Sequence, residues 1–205
     1  MTGGFHTVRS TSTAGQRPTA RALRSLALLL FGTLALTACG PQSLLGWGAN
    51  SFGEIGDGTD VGKRSPVVVD APWRNVSSMY IHSVGVRTDG TLWTWGTNWY
   101  GQLGNGTTDD HNVPTMVGSR TDWKTADAGW DFTVAIRTDG TLWAWGENDS
   151  NQLGDGTFTD RLVPTQIGTA TNWASIDAGM DHVVAIRTDG TLWAWGGNLS
   201  GQLAD

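Results

Sequence analysis

The chain is poor in the residues that build most small active or crosslinked proteins. Of its 205 residues one is cysteine, Cys39. That excludes a disulfide framework and any multi-cysteine metal centre. Its apolar stretch Leu26–Leu36 is too short to cross a bilayer, which takes ~20 residues. The common enzyme signatures are missing: no Gly-x-Ser-x-Gly, no His-Glu-x-x-His and no phosphate-binding glycine loop ending in Lys-Ser/Thr. The expectation is therefore a protein without enzymatic activity, cofactor or metal. What is present in excess is glycine (29) and tryptophan (12). Twelve indoles require burial, which excludes intrinsic disorder. Glycine at this density excludes a coiled coil or helical bundle. An isoelectric point near 5.0 argues against nucleic acid as a partner.

The first 38 residues have a character of their own. Arg9, Arg17, Arg21 and Arg24 form a basic segment without an acidic residue, followed by the short apolar run. This is the pattern of a secretory signal peptide. It ends in Leu36-Thr37-Ala38-Cys39, which resembles the lipobox of bacterial lipoproteins. In that family cleavage falls before the cysteine, which then carries lipid. The expected organisation is a signal peptide over 1–38, a lipidated Cys39 with a short tether over 39–43, and a body over 44–205. An ordinary secretory leader with an incidental cysteine is the alternative. Residues 39–205 hold 9 Lys and Arg against 19 Asp and Glu, a net charge of −10. Such a body repels phosphates and anionic headgroups. Acyl chains, rather than a basic patch, would link it to the membrane. The expected location is the cell envelope.

The body is one repeat. Arg87-Thr88-Asp89-Gly90-Thr91-Leu92-Trp93 recurs at Arg137–Trp143 and Arg187–Trp193, a period of 50 residues. Residues 87–136 and 137–186 share 29 identities in 50 positions. A period of this size signals a propeller or solenoid. The units run at about 44–86, 87–136, 137–186 and a partial 187–205. Each reads as four short strands, with 113–117, 123–127, 133–136 and 141–145 in the second. Thr138-Asp139-Gly140 makes a tight hairpin between the last two, because Asp and Gly tolerate positive φ. In Thr141–Trp145 both Trp side chains share one face and Leu142 points to the other. Sheets apolar on both faces stack, as blades do in a β-propeller.

The pattern Asp-Gly-Thr-Leu-Trp-x-Trp-Gly-x-Asn-x-x-Gly-Gln-Leu-Gly-x-Gly-Thr stands at 89–107 and, with Asn151 in place of the glycine, at 139–157; a third copy runs from Asp189 to Leu203. It resembles the repeat of the regulator of chromosome condensation family. The resemblance implies an all-β propeller, usually of seven blades. The founding eukaryotic member is a nucleotide exchange factor for a small GTPase, a secreted bacterial relative inhibits β-lactamases, and many members only bind proteins. Seven blades need about 350 residues at this period, so the chain is expected to form a partial propeller of about three four-stranded blades. A truncated gene product and a half-ring that self-associates through open edges are both consistent with that length.

Positions that recur are read as scaffold: Trp95, Trp145 and Trp195; Trp93, Trp143 and Trp193; Gly90, Gly140 and Gly190. Asp127 and Asp177 are expected to bond nearby backbone amides, and His82 and His182, sharing one slot, to be structural. Asp57-Gly58-Thr59 and its counterparts at 105–107 and 155–157 read as turns rather than calcium loops. Residues that break the repeat carry more information. Trp99 and Tyr100 replace Asp149-Ser150, and Trp130 and Phe132 replace Met180 and His182. Strand parity brings the loops at 96–112 and 128–132 to one end. Trp99, Tyr100, Asp109, Asp110, Trp130, Asp131 and Phe132 are therefore the candidate protein-binding residues. The function expected is protein binding at the bacterial envelope, with a GTPase regulator, an envelope enzyme inhibitor and a non-functional fragment as alternatives.

Overall fold

The computed structural model describes residues 43–69 and 72–203; Cys39 and the leader lie outside them. The described residues form thirteen strands and no helix. They are β1 (Leu44–Gly48), β2 (Lys63–Val69), β3 (Trp73–Met79), β4 (His82–Arg87), β5 (Leu92–Gly96), β6 (His111–Met116), β7 (Trp123–Ala128), β8 (Phe132–Arg137), β9 (Leu142–Gly146), β10 (Arg161–Gln166), β11 (Trp173–Ala178), β12 (His182–Arg187) and β13 (Leu192–Gly196). All pairings are antiparallel, in four meandering sheets: β1-β2, β3-β4-β5-β6, β7-β8-β9-β10 and β11-β12-β13. The expected blades are present, but their frame is shifted. The strand at 113–117 belongs, as β6, to the outer edge of the preceding sheet, where Met116 pairs with Trp93. The two four-stranded sheets thus open on a Trp strand (β3, β7) and close on a Pro-containing one (β6, β10), while β2 closes the first sheet and β11 opens the last.

The Thr-Asp-Gly hairpins do two things at once. In the second full blade Asp139 accepts hydrogen bonds from the Thr141 amide (3.0 Å) and hydroxyl (2.7 Å). Gly140 sits at φ 78°, and a Cβ there would lie 2.1 Å from the Thr171 carbonyl oxygen. Only glycine fits, and the gap is filled by the next blade: the Trp173 amide donates to the Gly140 carbonyl (3.1 Å). Gly90 repeats this against Thr121 and Trp123, whereas Gly190 has open space around it.

The two faces of each sheet build separate cores. Trp145 packs with Trp123, Val84, Val86 and Leu92 between the first and second full blades. Leu142 packs with Phe132, Val134, Ile136 and Trp173 between the second blade and β11–β13. Arg137 lies 3.5 Å from the Trp143 ring centroid and 5.0 Å from that of Trp123, and Arg87 and Arg187 repeat the stack. A cation held between desolvated rings contributes about 1–2 kcal/mol. Each recurring Arg thus stacks on two recurring Trp rings of its own sheet. Trp193 is 45% exposed because no outer strand lies beside β13 among the described residues.

The innermost strands are tied across blades by side chains. Asn75 on β3 brackets β7, accepting from the Ala126 amide (3.1 Å) and donating to its carbonyl (3.2 Å). Ser77 accepts from the Ala128 amide (3.2 Å). Asp127 on β7 accepts from the Ala178 amide on β11 (2.7 Å), so its partner lies in the neighbouring sheet rather than nearby in sequence. Asp177, in the same slot of the last sheet, is exposed. Burial pushes the Asp127 carboxyl up to about 6, against the hydrogen bonds from Ser77 and Ala178. The native protein therefore holds this proton more tightly than the unfolded chain. The ionised form is disfavoured, and stability from this site falls as pH rises from about 4 to about 6. Asp127→Asn keeps an acceptor and abolishes the charge. Its melting temperature relative to the parent is expected to rise across that window. Asp127→Ala leaves the Ala178 amide unpaired and costs about 1–3 kcal/mol. Thermal melts at pH 4 and 7.5 check both.

Candidate protein-binding rim

Three long loops of common construction rise from one end of the sheets, at 49–62, 97–110 and 147–160. Each is organised by an asparagine that replaces missing backbone partners. Asn98 accepts from the Leu103 amide (2.9 Å) and donates to the Thr107 carbonyl (2.9 Å). Asn148 does the same with Leu153 and Thr157, and Asn50 with Ile55 and Thr59. The Gly-Gln-Leu-Gly motif then hooks the loop over the next blade. The Gln102 carbonyl accepts from the Trp145 indole (2.9 Å) and the Thr133 hydroxyl (2.9 Å). Trp95 donates in the same way to the Glu54 carbonyl (2.9 Å), and Trp195 to that of Gln152 (3.1 Å). The Asp-Gly-Thr and Asn-Gly-Thr segments are tight turns whose first side chain accepts from the threonine amide and hydroxyl. Partial burial of Asp155 raises its pKa, yet hydrogen bonds from Thr157 and Arg161 outweigh this and hold it at about 2.

On these braced loops the repeat-breaking aromatics stand exposed. Trp99 is 55% exposed and meets Phe52 edge to face at 5.5 Å, joining two successive loops. Tyr100 is beside it and also exposed. Trp130, half-buried in the β7–β8 turn, meets Tyr80 of the β3–β4 turn at 4.7 Å. Its amide donates to the Met180 carbonyl of the β11–β12 turn (3.2 Å). Tyr80, Trp130 and Met180 thus occupy one slot in three successive blades and form a row. Tyr80 holds φ 56°, a left-handed conformation uncommon for an aromatic residue. The sequence reading missed Tyr80 because Ser78-Met79 replaces Ala-Gly in its unit; its place 50 residues before Trp130 was the available signal.

Phe132 does not belong to this surface. It is fully buried at the start of β8, its ring filling the space above Gly129, where a Cβ would lie 2.0 Å from it. The slot is a core position. His82 occupies it in the preceding blade, also fully buried, with Nε2 3.0 Å from the Thr133 hydroxyl and burial pushing its pKa down to about 4. Asp109 is exposed. Asp110 is exposed too but braces its loop by accepting from the Asn98 amide (2.7 Å), as Asp160 does for Asn148. His111 is half-buried, with Nε2 3.1 Å from the Asn105 amide nitrogen, rather than free in solvent.

Charge is segregated between the two ends of the sheets. The rim loops, their strand starts and the turns beside Trp130 carry eleven carboxylates against three basic side chains, Lys63, Arg64 and Arg161. Two of those three are paired, Lys63 with Asp57 (2.7 Å) and Arg161 with Asp155 (2.6 Å). The opposite end carries Arg74, Arg87, Arg120, Lys124, Arg137 and Arg187 against four aspartates. Burial pushes Asp131 up to about 6. Burial, with Asp131, Asp149 and Asp160 nearby, also raises Glu147. The Tyr100 hydroxyl is raised by Glu147 first, then by its own partial burial and the surrounding aspartates.

Stacked four-stranded meanders, innermost strands side by side and loops gathered at one end, define a β-propeller repeat protein. The model of the regulator of chromosome condensation repeat matches residues 89–136 and 139–186, and a second model of the same repeat matches 123–152 and 173–202. The chain belongs to the regulator of chromosome condensation repeat family. Among solved structures it is similar to human WBSCR16, at 26% identity and a TM-score of 0.70, over 80% of this chain and 45% of that one. It is similar in fold to Prp20p from Saccharomyces cerevisiae, at 20% identity and a TM-score of 0.71, over 82% of this chain and 44% of that one. The yeast protein bound to Kap60 matches over 96% of this chain and 50% of its own length, at 18% identity and a TM-score of 0.67. The chain spans about half the length of these relatives. The Prp20p structure is described with its binding properties to Gsp1p and histones.

Proposed function

We propose that this chain is a non-catalytic protein-binding propeller module that docks its partner on the aromatic rim and is held at the bacterial cell envelope by lipid on Cys39. The row Tyr80–Trp130–Met180, with the Phe52–Trp99 pair at the same end of the sheets, carries the reading. Exposed aromatics on braced loops are the composition of docking hot spots, because they offer large contact area at low entropic cost. The likeness to Prp20p supports a binding role for the fold. The lipobox-like segment supports the anchor, and strand parity supports its orientation. Ser43, the first described residue before β1, lies at the hairpin-turn end of the sheets, opposite the rim. A tether over 40–43 reaches at most ~14 Å, so the rim would face away from the membrane.

The test is retention of envelope proteins on the immobilised full chain, compared with Trp99→Ala combined with Trp130→Ala. The double variant is expected to lose about tenfold or more of the specific retention. Unfolding stability should fall little, because Trp99 is exposed and Trp130 half-buried. Unchanged retention by a folded double variant overturns the reading. Labelled fatty acid should enter the parent chain and not Cys39→Ser.

A further inference from the structure

We propose that the rim takes a basic protein segment, seating a lysine or arginine side chain against Tyr100 and Trp130 among the carboxylates of Asp131, Glu147 and Asp149. This rests on the rim being the docking surface and goes on to specify the chemistry of its occupant.

Three observations converge. First, the aromatics and the carboxylates share one place. Trp130 precedes Asp131 in the β7–β8 turn, and Tyr100 lies close enough to Asp131, Glu147 and Asp149 for their charges to raise its hydroxyl pKa; the Asp131 Oδ1 accepts from the Gln102 side-chain amide (2.9 Å). Rings beside carboxylates form a composite site for a cation, the ring face adding to the ionic attraction.

Second, these carboxylates have no basic partner among the described residues. Asp131 and Glu147 are satisfied only by neutral amides, those of Gln102 and Gln152 (3.0 Å). Arg161, at the start of β10, is committed to Asp155 through Nε (2.9 Å) and Nη2. Partly buried carboxylates without a counter-charge destabilise the free protein, as the raised Asp131 and Glu147 pKa values express. An arriving cation relieves that cost, which is differential binding energy available only in the complex. Among the described residues no three His, Cys, Asp or Glu side chains converge to hold a metal ion. In the proposed complex the counter-charge comes from the partner's side chains.

Third, the field of the whole end has one sign. Leaving out the two ion pairs, nine carboxylates against one basic side chain, Arg64, attract a basic surface from a Debye length of about 8 Å at physiological salt and repel phosphate-bearing ligands. The apolar row beside the cation site, Tyr80–Trp130–Met180, accommodates an aliphatic or aromatic residue adjacent to the basic one.

The experiment uses the detergent-solubilised full chain, titrated with an acetylated, amidated peptide alternating leucine and lysine. Counterparts carry glutamine or glutamate in place of lysine. Tryptophan fluorescence is the readout, at 50 mM and 500 mM NaCl. The lysine peptide is expected to bind at least about tenfold more tightly than the glutamine peptide, and to lose most of that margin at high salt. Asp131→Asn combined with Glu147→Gln should erase the margin, as should Asp149→Lys, an exposed substitution that leaves the loop bracing intact. Asp139→Asn, at the opposite end, should leave it unchanged. Equal binding of the lysine and glutamine peptides overturns the basic-segment inference while leaving the rim as an apolar docking surface. Binding of none of the peptides, or preference for glutamate, overturns it as well. Loss of envelope-protein retention in the Trp99/Trp130 double variant is a separate readout, which fails only if the rim itself is wrongly assigned.

Discussion

Trp145→Ala is expected to destabilise the protein by about 3–5 kcal/mol and to weaken rim binding with it. The indole is fully buried, packs on Trp123 at 6.1 Å, and fills a space bounded by Gly104, where a Cβ would lie 2.6 Å from Nε1. Removing it leaves a cavity between two blades and takes away one of two donors to the Gln102 carbonyl. That carbonyl fastens the 97–110 loop, so Trp99 and Tyr100 lose their footing. Trp145→Phe retains most of the packing and the Thr133 hydrogen bond, and should cost less than half as much. Trp99→Ala, by contrast, removes an exposed ring and should stay within about 1 kcal/mol of the parent, near the usual range for surface substitutions. Denaturant unfolding of the three variants separates a scaffold tryptophan from a docking one.

The second large effect concerns the outer face of β11–β13. Ile136, Leu142 and Ala144 are at most 1% exposed where the next sheet covers them. Their counterparts Ile186 (42%) and Leu192 (67%) are open, and so is Ala194. This contiguous apolar face is built to be covered by another sheet. A polypeptide of this sequence is expected to self-associate through it at micromolar concentration. Leu192→Asp places a charge on the face and should weaken association at least about tenfold while leaving the fold intact. The same change at Leu142 buries an unpaired carboxylate between two blades and should prevent folding. Light scattering over a concentration series, with circular dichroism of the indoles, distinguishes these outcomes.

The repeat made much of this legible. The 50-residue period, the indole slots and the Asp-Gly hairpins are local signals, and each appears where the pattern places it. Less legible was anything that depends on pairing across a long loop. The loop at 97–110 separates β5 from β6, so assigning the Pro-containing strand to the sheet before it rather than after it required the three-dimensional register. Backbone acceptors were invisible for a related reason. The value of Gln102 and Gln152 lies largely in their carbonyls, which no side-chain reading can find. Phe132 was misassigned because it breaks the repeat alongside Trp130, yet the two differ in burial: Trp130 sits half-buried in the turn and Phe132 opens the strand fully buried. Tyr80 was overlooked because its unit departs from the motif, although its spacing to Trp130 matched the period.

On the proposed reading this propeller meets its partner at the rim rather than at the hairpin-turn end. Photo-crosslinking tests it most directly, with a photoreactive phenylalanine placed either at Trp99 or at Asp139 in cells producing the full chain. A discrete protein adduct is expected from position 99, reduced by Asp131→Asn combined with Glu147→Gln, and none of comparable yield from position 139. Adducts from position 139 alone, or equal yields from both ends, would contradict it.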